Sequence, residues 1–262
     1  MAHWGTVRHE GAGLMNEVPD FSLVAKDYGV ARPGYPDELF DWLAATVAPA
    51  RETAWDAATG SGQAAWGLAH RFDRVIATDI SEEQLRRARR HPRIEYRVAR
   101  SEASGLPDAS VDLAVSAAAA HWFDLPRYYE ELQRVVRPGG VAVAWTYHVA
   151  HVDPPLDAIL WHLYKDVLGP YYPPNVLLVD DRFAGIQLPG RELATPALPA
   201  TVRWSARHVA QFAATWSTVP GYIAATGTDP IPQLEATVAA AFGGPDVVRE
   251  LRFPLYIRAA RL

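Results

Sequence analysis

The chain has 262 residues, 49% hydrophobic and 21% charged, with a formal net charge of −5 and no cysteine. That length suits one large domain, or one domain with a sizeable insertion, and buries a substantial core without staples. Disulfides, thiolate zinc sites and thiol nucleophiles are excluded, and the negative balance repels a phosphate backbone, which disfavours nucleic acid as a partner.

Residues 1–20 show no periodicity, no basic head and no apolar run, and are expected to form a loose arm on a chain that stays in the cytoplasm. No stretch is apolar for long enough to span a bilayer; Val111 to Phe123 comes nearest and is interrupted by Asp112. Pro36 opens a helix to Val47, with Asp37 and Glu38 in the first turn, where the macrodipole favours acids. Thr53–Asp56 reads as a strand, Ala57–Gly62 as a turn, and a helix follows to about Arg71. Val75–Thr78 is a second strand that ends at Asp79. Ser81 and Gln84 form a capping-box pattern that starts a helix through Arg86, Arg87, Arg89, Arg90 and Arg93, a run read as a solvated face. Ile94–Val98 and Val111–Ser116 are the third and fourth strands.

A helix over Pro126–Val136 stops at Arg137-Pro138-Gly139-Gly140, and Val141–Tyr147 is the fifth strand. Strands alternating with helices predict a parallel sheet covered on both faces, a doubly wound α/β fold. After residue 150 the rhythm changes: helices near 153–168, 206–216 and 231–242, a possible strand near 198–204, and a last strand over Glu250–Arg261. The division expected is an arm over residues 1–20, a binding core over 21–150, and a C-terminal part over 151–262 that carries a helical cap and the last two strands of the same sheet.

The most informative segment is Asp56-Ala57-Ala58-Thr59-Gly60-Ser61-Gly62-Gln63. Glycines at a strand-to-helix turn let the backbone approach a ligand that a Cβ would exclude. Asp79 ends the next strand, 17 residues past Gly62, where a carboxylate can accept hydrogen bonds from ribose hydroxyls. Gly60-Ser61-Gly62-Gln63-Ala64-Ala65 also satisfies the dinucleotide pattern G-x-G-x-x-A, so a nicotinamide-dependent oxidoreductase competes. Electrostatics favour the other ligand. Asp56 beside a pyrophosphate would be repulsive, whereas beside the ammonium and sulfonium of S-adenosylmethionine it would be favourable.

This turn resembles the first motif, D-x-G-x-G-x-G, of the class I S-adenosylmethionine-dependent methyltransferases: Asp56, Gly60 and Gly62 fall on it, and Ala58 replaces its first glycine. An alanine there fits if its φ is negative. Ser101-Glu102 is similar to the family's A-E-x-L-P region, with Arg100 where many relatives have Asp. Tyr28-Gly29-Val30-Ala31-Arg32-Pro33-Gly34-Tyr35-Pro36, Ser110-Val111-Asp112-Leu113 through His121-Trp122-Phe123-Asp124, Thr215-Trp216-Ser217 and Phe253-Pro254-Leu255 resemble the trans-aconitate methyltransferase-like subgroup. The resemblance spans about residues 21–262 and implies a Rossmann-like seven-stranded sheet with an antiparallel last strand. It implies S-adenosylmethionine as cofactor, S-adenosylhomocysteine as product and a small-molecule acceptor. The turn, with Asp56, Ala58, Gly60 and Gly62, would contact the methionine moiety; Asp79 and Ile80 would hold the ribose; Ser101 and Glu102 would lie beside the adenine; Ser116, at the end of the fourth strand, would also bind the cofactor. Pro254 predicts a bulge or an unpaired amide position in the last strand.

Methyl transfer from a sulfonium mainly needs donor and acceptor held in line, and a base only when the acceptor carries a proton. His121, after the fourth strand, could act as base or orient an acceptor oxygen, or it could merely shape its loop. Trp122 could face the sulfonium or serve as core. Tyr28, Arg32 and Tyr35 read as a lid over the cofactor's carboxylate or the substrate, with Tyr28 and Arg32 as cofactor-binding residues and Arg32 offering an anion site, or as a packed bend between Pro33 and Pro36. Tyr147 joins Tyr35, His121 and Trp122 as expected walls of the substrate pocket. The spacings of His9, His148, His151 and His162 match no zinc signature, so no metal is expected. A methyltransferase-like protein with lost or changed activity stays open at this stage, as does the oligomeric state.

Overall fold

The computed structural model describes residues 32–262; the expected arm over residues 1–20 and the candidate Tyr28 lie outside them. Helix α1 (Asp37–Thr46) leads into five parallel strands: β1 (Thr53–Ala57), β2 (Arg74–Asp79), β3 (Ile94–Val98), β4 (Val111–Ala117) and β5 (Val136–Tyr147). Between them run α2 (Gln63–Leu68), α3 (Glu82–Arg87) and α4 (Leu125–Val135). β1 and β4 are buried along almost their whole length, the mark of a parallel sheet covered on both faces. Local chemistry sets the helix starts. The Ser81 hydroxyl accepts the Gln84 amide at 3.3 Å, and the Asp124 carboxylate accepts the Arg127 amide at 3.4 Å.

After β5 come α5 (Pro154–Trp161), a π-helical turn (His162–Val167), α6 (Leu177–Asp180), β6 (Arg191–Glu192), β7 (Pro199–Trp204), α7 (Ala206–Ala214), α8 (Val219–Thr226), α9 (Ile231–Phe242) and β8 (Arg249–Arg261). The strand order is β3-β2-β1-β4-β5-β8-β6, with β7 paired to β8. β8 runs antiparallel to β5, as the resemblance implies. The sheet has eight strands among the described residues rather than seven; the two-residue β6, beside the end of β8, is too short to carry a sequence signal.

Two further expectations are corrected, and at Pro254 only one of the two expected outcomes is met. The stop at Arg137–Gly140 does not separate helix from strand: β5 begins at Val136, opposite Val111, and the extra residues are taken up by a register shift before Leu113. The helix after Ser81 ends at Arg87 instead of continuing through the arginines. Those arginines have separate tasks: Arg87 pairs with Glu83 at 2.7 Å, Arg89 covers the Trp66 ring, and Arg93 donates to the Phe72 carbonyl at 3.3 Å. Pro254 forms no bulge. β8 pairs with β7 up to Pro254 opposite Pro199 and with β5 from Leu255 onward, so the residue without an amide stands where the strand changes partners.

Two buried features hold this frame together. Asp112 accepts the amides of Glu52 and Thr53 at 2.9 Å and pairs with Arg137 at 2.6 Å, which ties the start of β1 to β4 and β5. Under the cap, Tyr147, Trp204, Phe212 and Phe253 pack with ring centroids 5.3–6.2 Å apart. Burial of an aromatic such as Phe253, which has no exposed surface, is worth about 3 kcal/mol.

Candidate active site

The strand order reverses between β1 and its neighbours β2 and β4, so a crevice opens beyond the carboxyl ends of these strands. A cavity of about 470 Å³ occupies it. Ala58, Thr59, Gly60 and Gln63 form one side, Asp79 to Gln84 a second, and Arg100 to Glu102 a third. Ala117 to Ala119, Trp122, Phe123, Arg32, Tyr35 and Tyr147 complete the wall.

The turn after β1 is left-handed at alternate residues: Ala58 has φ 57°, Gly60 φ 55° and Gly62 φ 83°. The negative φ at which an alanine would fit here is therefore not adopted. A Cβ in this region crowds the following carbonyl and costs about 1–2 kcal/mol. Gly62 caps α2 with its α-carbon against the Tyr96 hydroxyl, where a Cβ has no room, and it does not line the cavity.

Asp56 is also absent from the cavity wall. Its carboxylate is fully buried, with Oδ2 accepting the Thr59 hydroxyl at 2.5 Å and the Ala65 amide at 2.9 Å. Burial pushes its pKa up to about 7, opposed by these two bonds. Asp56 braces the turn from behind, which removes the sequence argument that it faces the cofactor's cations.

Asp79 does line the cavity. Its Oδ2 accepts the Gly60 amide and its Oδ1 the Ser81 amide, both at 2.8 Å, leaving each oxygen of this cavity-lining carboxylate with further acceptor capacity. Burial raises its pKa against those two bonds. Ile80, half exposed, extends this wall. Across from it, Ser101 is buried, and Glu102 accepts the Asp124 amide at 3.0 Å with Arg100 3.5 Å away. Ser116 lies under the sheet end, buried and off the cavity.

Arg32 donates to the Tyr147 hydroxyl and to the Thr215 carbonyl, both at 3.1 Å, with its guanidinium over Phe212. It thereby joins the segment before α1 to the cap. Tyr35 meets Trp145 edge-on at 5.3 Å. Arg32, Ala118, Trp122 and Tyr147 are shared with a smaller chamber of about 100 Å³, lined further by His121, His148, Tyr164, Tyr172, Phe212 and Trp216. His121 belongs to this chamber alone. Burial, assisted by the Arg32 charge, pushes its pKa down to about 3, so its imidazole is neutral.

Of the residues singled out from sequence, Arg32, Tyr35, Ala58, Gly60, Asp79, Ile80, Ser101, Glu102, Trp122 and Tyr147 converge on the main cavity. Asp56, Gly62 and Ser116 do not. Sequence reading missed Thr59 and Gln63 as walls of the cavity. It also missed the pairing of His148 with Asp180 in the chamber wall, because 32 residues separate the two.

Residues 55–144, the stretch from β1 to β5, match the methyltransferase domain family. A Dictyostelium discoideum protein that bears the name of a methyltransferase is 30% identical over 243 residues, covering 90% of this chain and 92% of its own length. The chain belongs to the class I S-adenosylmethionine-dependent methyltransferases. A solved structure from Anaeromyxobacter dehalogenans, bearing the name of a type II methyltransferase, is 44% identical, with a TM-score of 0.80 over 88% of this chain and 97% of that one. A Saccharomyces cerevisiae protein named for S-adenosylmethionine-dependent methyl transfer is 28% identical over 160 residues, 56% of this chain and 55% of its own. Of the two ligands that the glycine turn allowed, S-adenosylmethionine is the one that this membership implies. Among the described residues no helix is long and apolar enough to cross a membrane, and no group of three or more His, Asp or Glu stands ready for a metal.

Proposed function

We propose that this methyltransferase holds S-adenosylmethionine in the 470 Å³ cavity and methylates an oxygen of a small molecule seated in the aromatic chamber beside it. The observation that carries the reading is the shared wall: Arg32, Ala118, Trp122 and Tyr147 border both spaces, so a group bound in one faces a group bound in the other. The residues fit the cofactor. The Ala58–Gly60 backbone leaves an open approach for the methionine end, the cavity-lining Asp79 has acceptor capacity for a ribose diol, and Ser101 and Glu102 flank a slot for the adenine. When bound, the cofactor supplies an activated methyl on a sulfonium.

The protein's own contribution is orientation and exclusion of water. Arg32 and Tyr35, with the cap residue Thr215 bonded to Arg32, close the mouth over the reacting atoms. Trp122 offers an aromatic face to a cation, and neutral His121 can orient an acceptor oxygen. The acceptor is a carboxylate, which suits Arg32, or a hydroxyl, which suits the imidazoles. Thermal-shift measurements test the donor half. S-adenosylhomocysteine at 100 times its Kd should stabilise the protein by about 2.7 kcal/mol, whereas NAD and NADP should leave the Tm unchanged. A shift with NAD and none with S-adenosylhomocysteine would overturn the reading.

A further inference from the structure

The small chamber is lined by His148, which is not in the wall of the larger cavity and forms a carboxylate–imidazole pair. His148 directly follows β5, and its Nε2 lies 2.9 Å from Asp180 Oδ1, at the end of α6. The Tyr164 hydroxyl donates to the same oxygen at 2.7 Å. The imidazole is stacked on Trp161 with centroids 4.8 Å apart and planes at 20°, and Tyr164 meets it edge-on at 4.7 Å. Its side chain is only 7% exposed.

An ionised aspartate can only accept, so the hydrogen between the two belongs to Nε2 and Nδ1 is left as an acceptor. Nδ1 is buried and has no partner among the described residues, although the ring lines the chamber. A carboxylate that fixes the tautomer of an imidazole, with the other nitrogen waiting for a proton, is the arrangement of a general base. We propose that His148 is the general base of this enzyme, that Asp180 is its positioning residue, and that the acceptor is a hydroxyl or phenol rather than a preformed carboxylate.

The inference rests on the methyltransferase reading of the adjoining cavity. As the acceptor oxygen forms its bond to the methyl carbon, the methyl–sulfur bond breaks and its electron pair stays on sulfur. The acceptor's O–H bond breaks in the same step, its proton passes to Nδ1, and water removes it after the product leaves. Burial holds the His148 imidazole below its ordinary pKa, Asp180 opposes that, and Lys165 and Arg182 reinforce it, so the base is unprotonated and ready at neutral pH. His121 shares the chamber but has no carboxylate partner among the described residues and has Arg32 nearby, which makes it the poorer proton acceptor.

Nitrogen-15 NMR of the histidine-labelled free protein, with His148→Gln to assign the signal, reads the tautomer directly. The expected result is a neutral ring protonated at Nε2 from pH 6.5 to 9, and a shift toward the Nδ1–H form in Asp180→Asn. A neutral Nδ1–H ring, or an imidazolium at pH 7, would overturn the proposal. Isotope-labelled methyl transfer to a panel of phenols, aliphatic alcohols and carboxylic acids supplies the second arm. His148→Gln should lower kcat on the hydroxyl acceptors at least a hundredfold with KM within a few-fold. Transfer confined to carboxylic acids and insensitive to His148→Gln would refute it. Calorimetry with S-adenosylhomocysteine separates the two failures: no binding to the wild-type protein sinks the cavity reading, whereas normal binding with the wrong tautomer sinks only the base.

Discussion

The carboxylate of Asp79 accepts the amide of Gly60 at 2.8 Å, so the acid that ends β2 and the glycine in the turn after β1 form one rigid corner of the cavity. The Thr59 amide reinforces it by donating to the Thr78 carbonyl at 2.9 Å. Asp79 is thus both the proposed ribose ligand and the brace for the turn backbone proposed to hold the methionine end.

Asp79→Ala removes the brace and the ligand together. Hydrogen bonds to a charged group are worth about 1.5–3 kcal/mol each, so S-adenosylhomocysteine binding should weaken at least tenfold while the protein stays folded. Calorimetry checks the affinity and circular dichroism the fold. Unchanged affinity would remove Asp79 from the ribose site.

The stability of the protein should carry a pH signature from Asp56. Its carboxyl has an ordinary pKa of 3.8 and a folded value of about 7, raised by burial. A raised folded pKa gives stability that is fully present below the unfolded value and is lost as pH rises through the folded one. Urea unfolding of wild type and Asp56→Asn should therefore show a difference that moves against the wild type between pH 4.5 and 7.5. A pH-independent difference would show that Asp56 is already ionised in the native state at the lower pH.

Ala58→Gly should stabilise the protein. The left-handed strain at φ 57° disappears, and the added backbone freedom of glycine takes back part of the gain, leaving roughly 0.5–1 kcal/mol. No Cβ contact is needed at this position for the turn to close, because the turn is held by Asp56 and Asp79. Equilibrium denaturation that shows a loss of stability would mean that the alanine methyl packs usefully.

Much of this molecule was legible one segment at a time. Alternating apolar runs and helix signals located β1 to β5 within a residue or two, except at Val136, because backbone periodicity and capping by Ser81 and Asp124 act over a few residues. The glycine turn and the acid seventeen residues later could be placed at one crevice because strand order in such sheets obeys a topological rule. Side-chain direction was not legible. Asp56 and Asp79 end neighbouring strands, yet one is buried behind the turn and the other opens on the cavity, because the Ala65 amide captures the first. Ala58 adopts a conformation its own Cβ opposes, because the bonds on either side of it fix the turn. Pro254 sits where β8 changes partners, a position defined only when β5 and β7 are both in place. The meeting of His148 with Asp180 depends on how the cap folds back over the sheet, and no local preference encodes a contact between residues 32 apart. Sequence by itself determined the elements and the crevice; packing of the cap and burial of particular carboxylates decided which side chains face it.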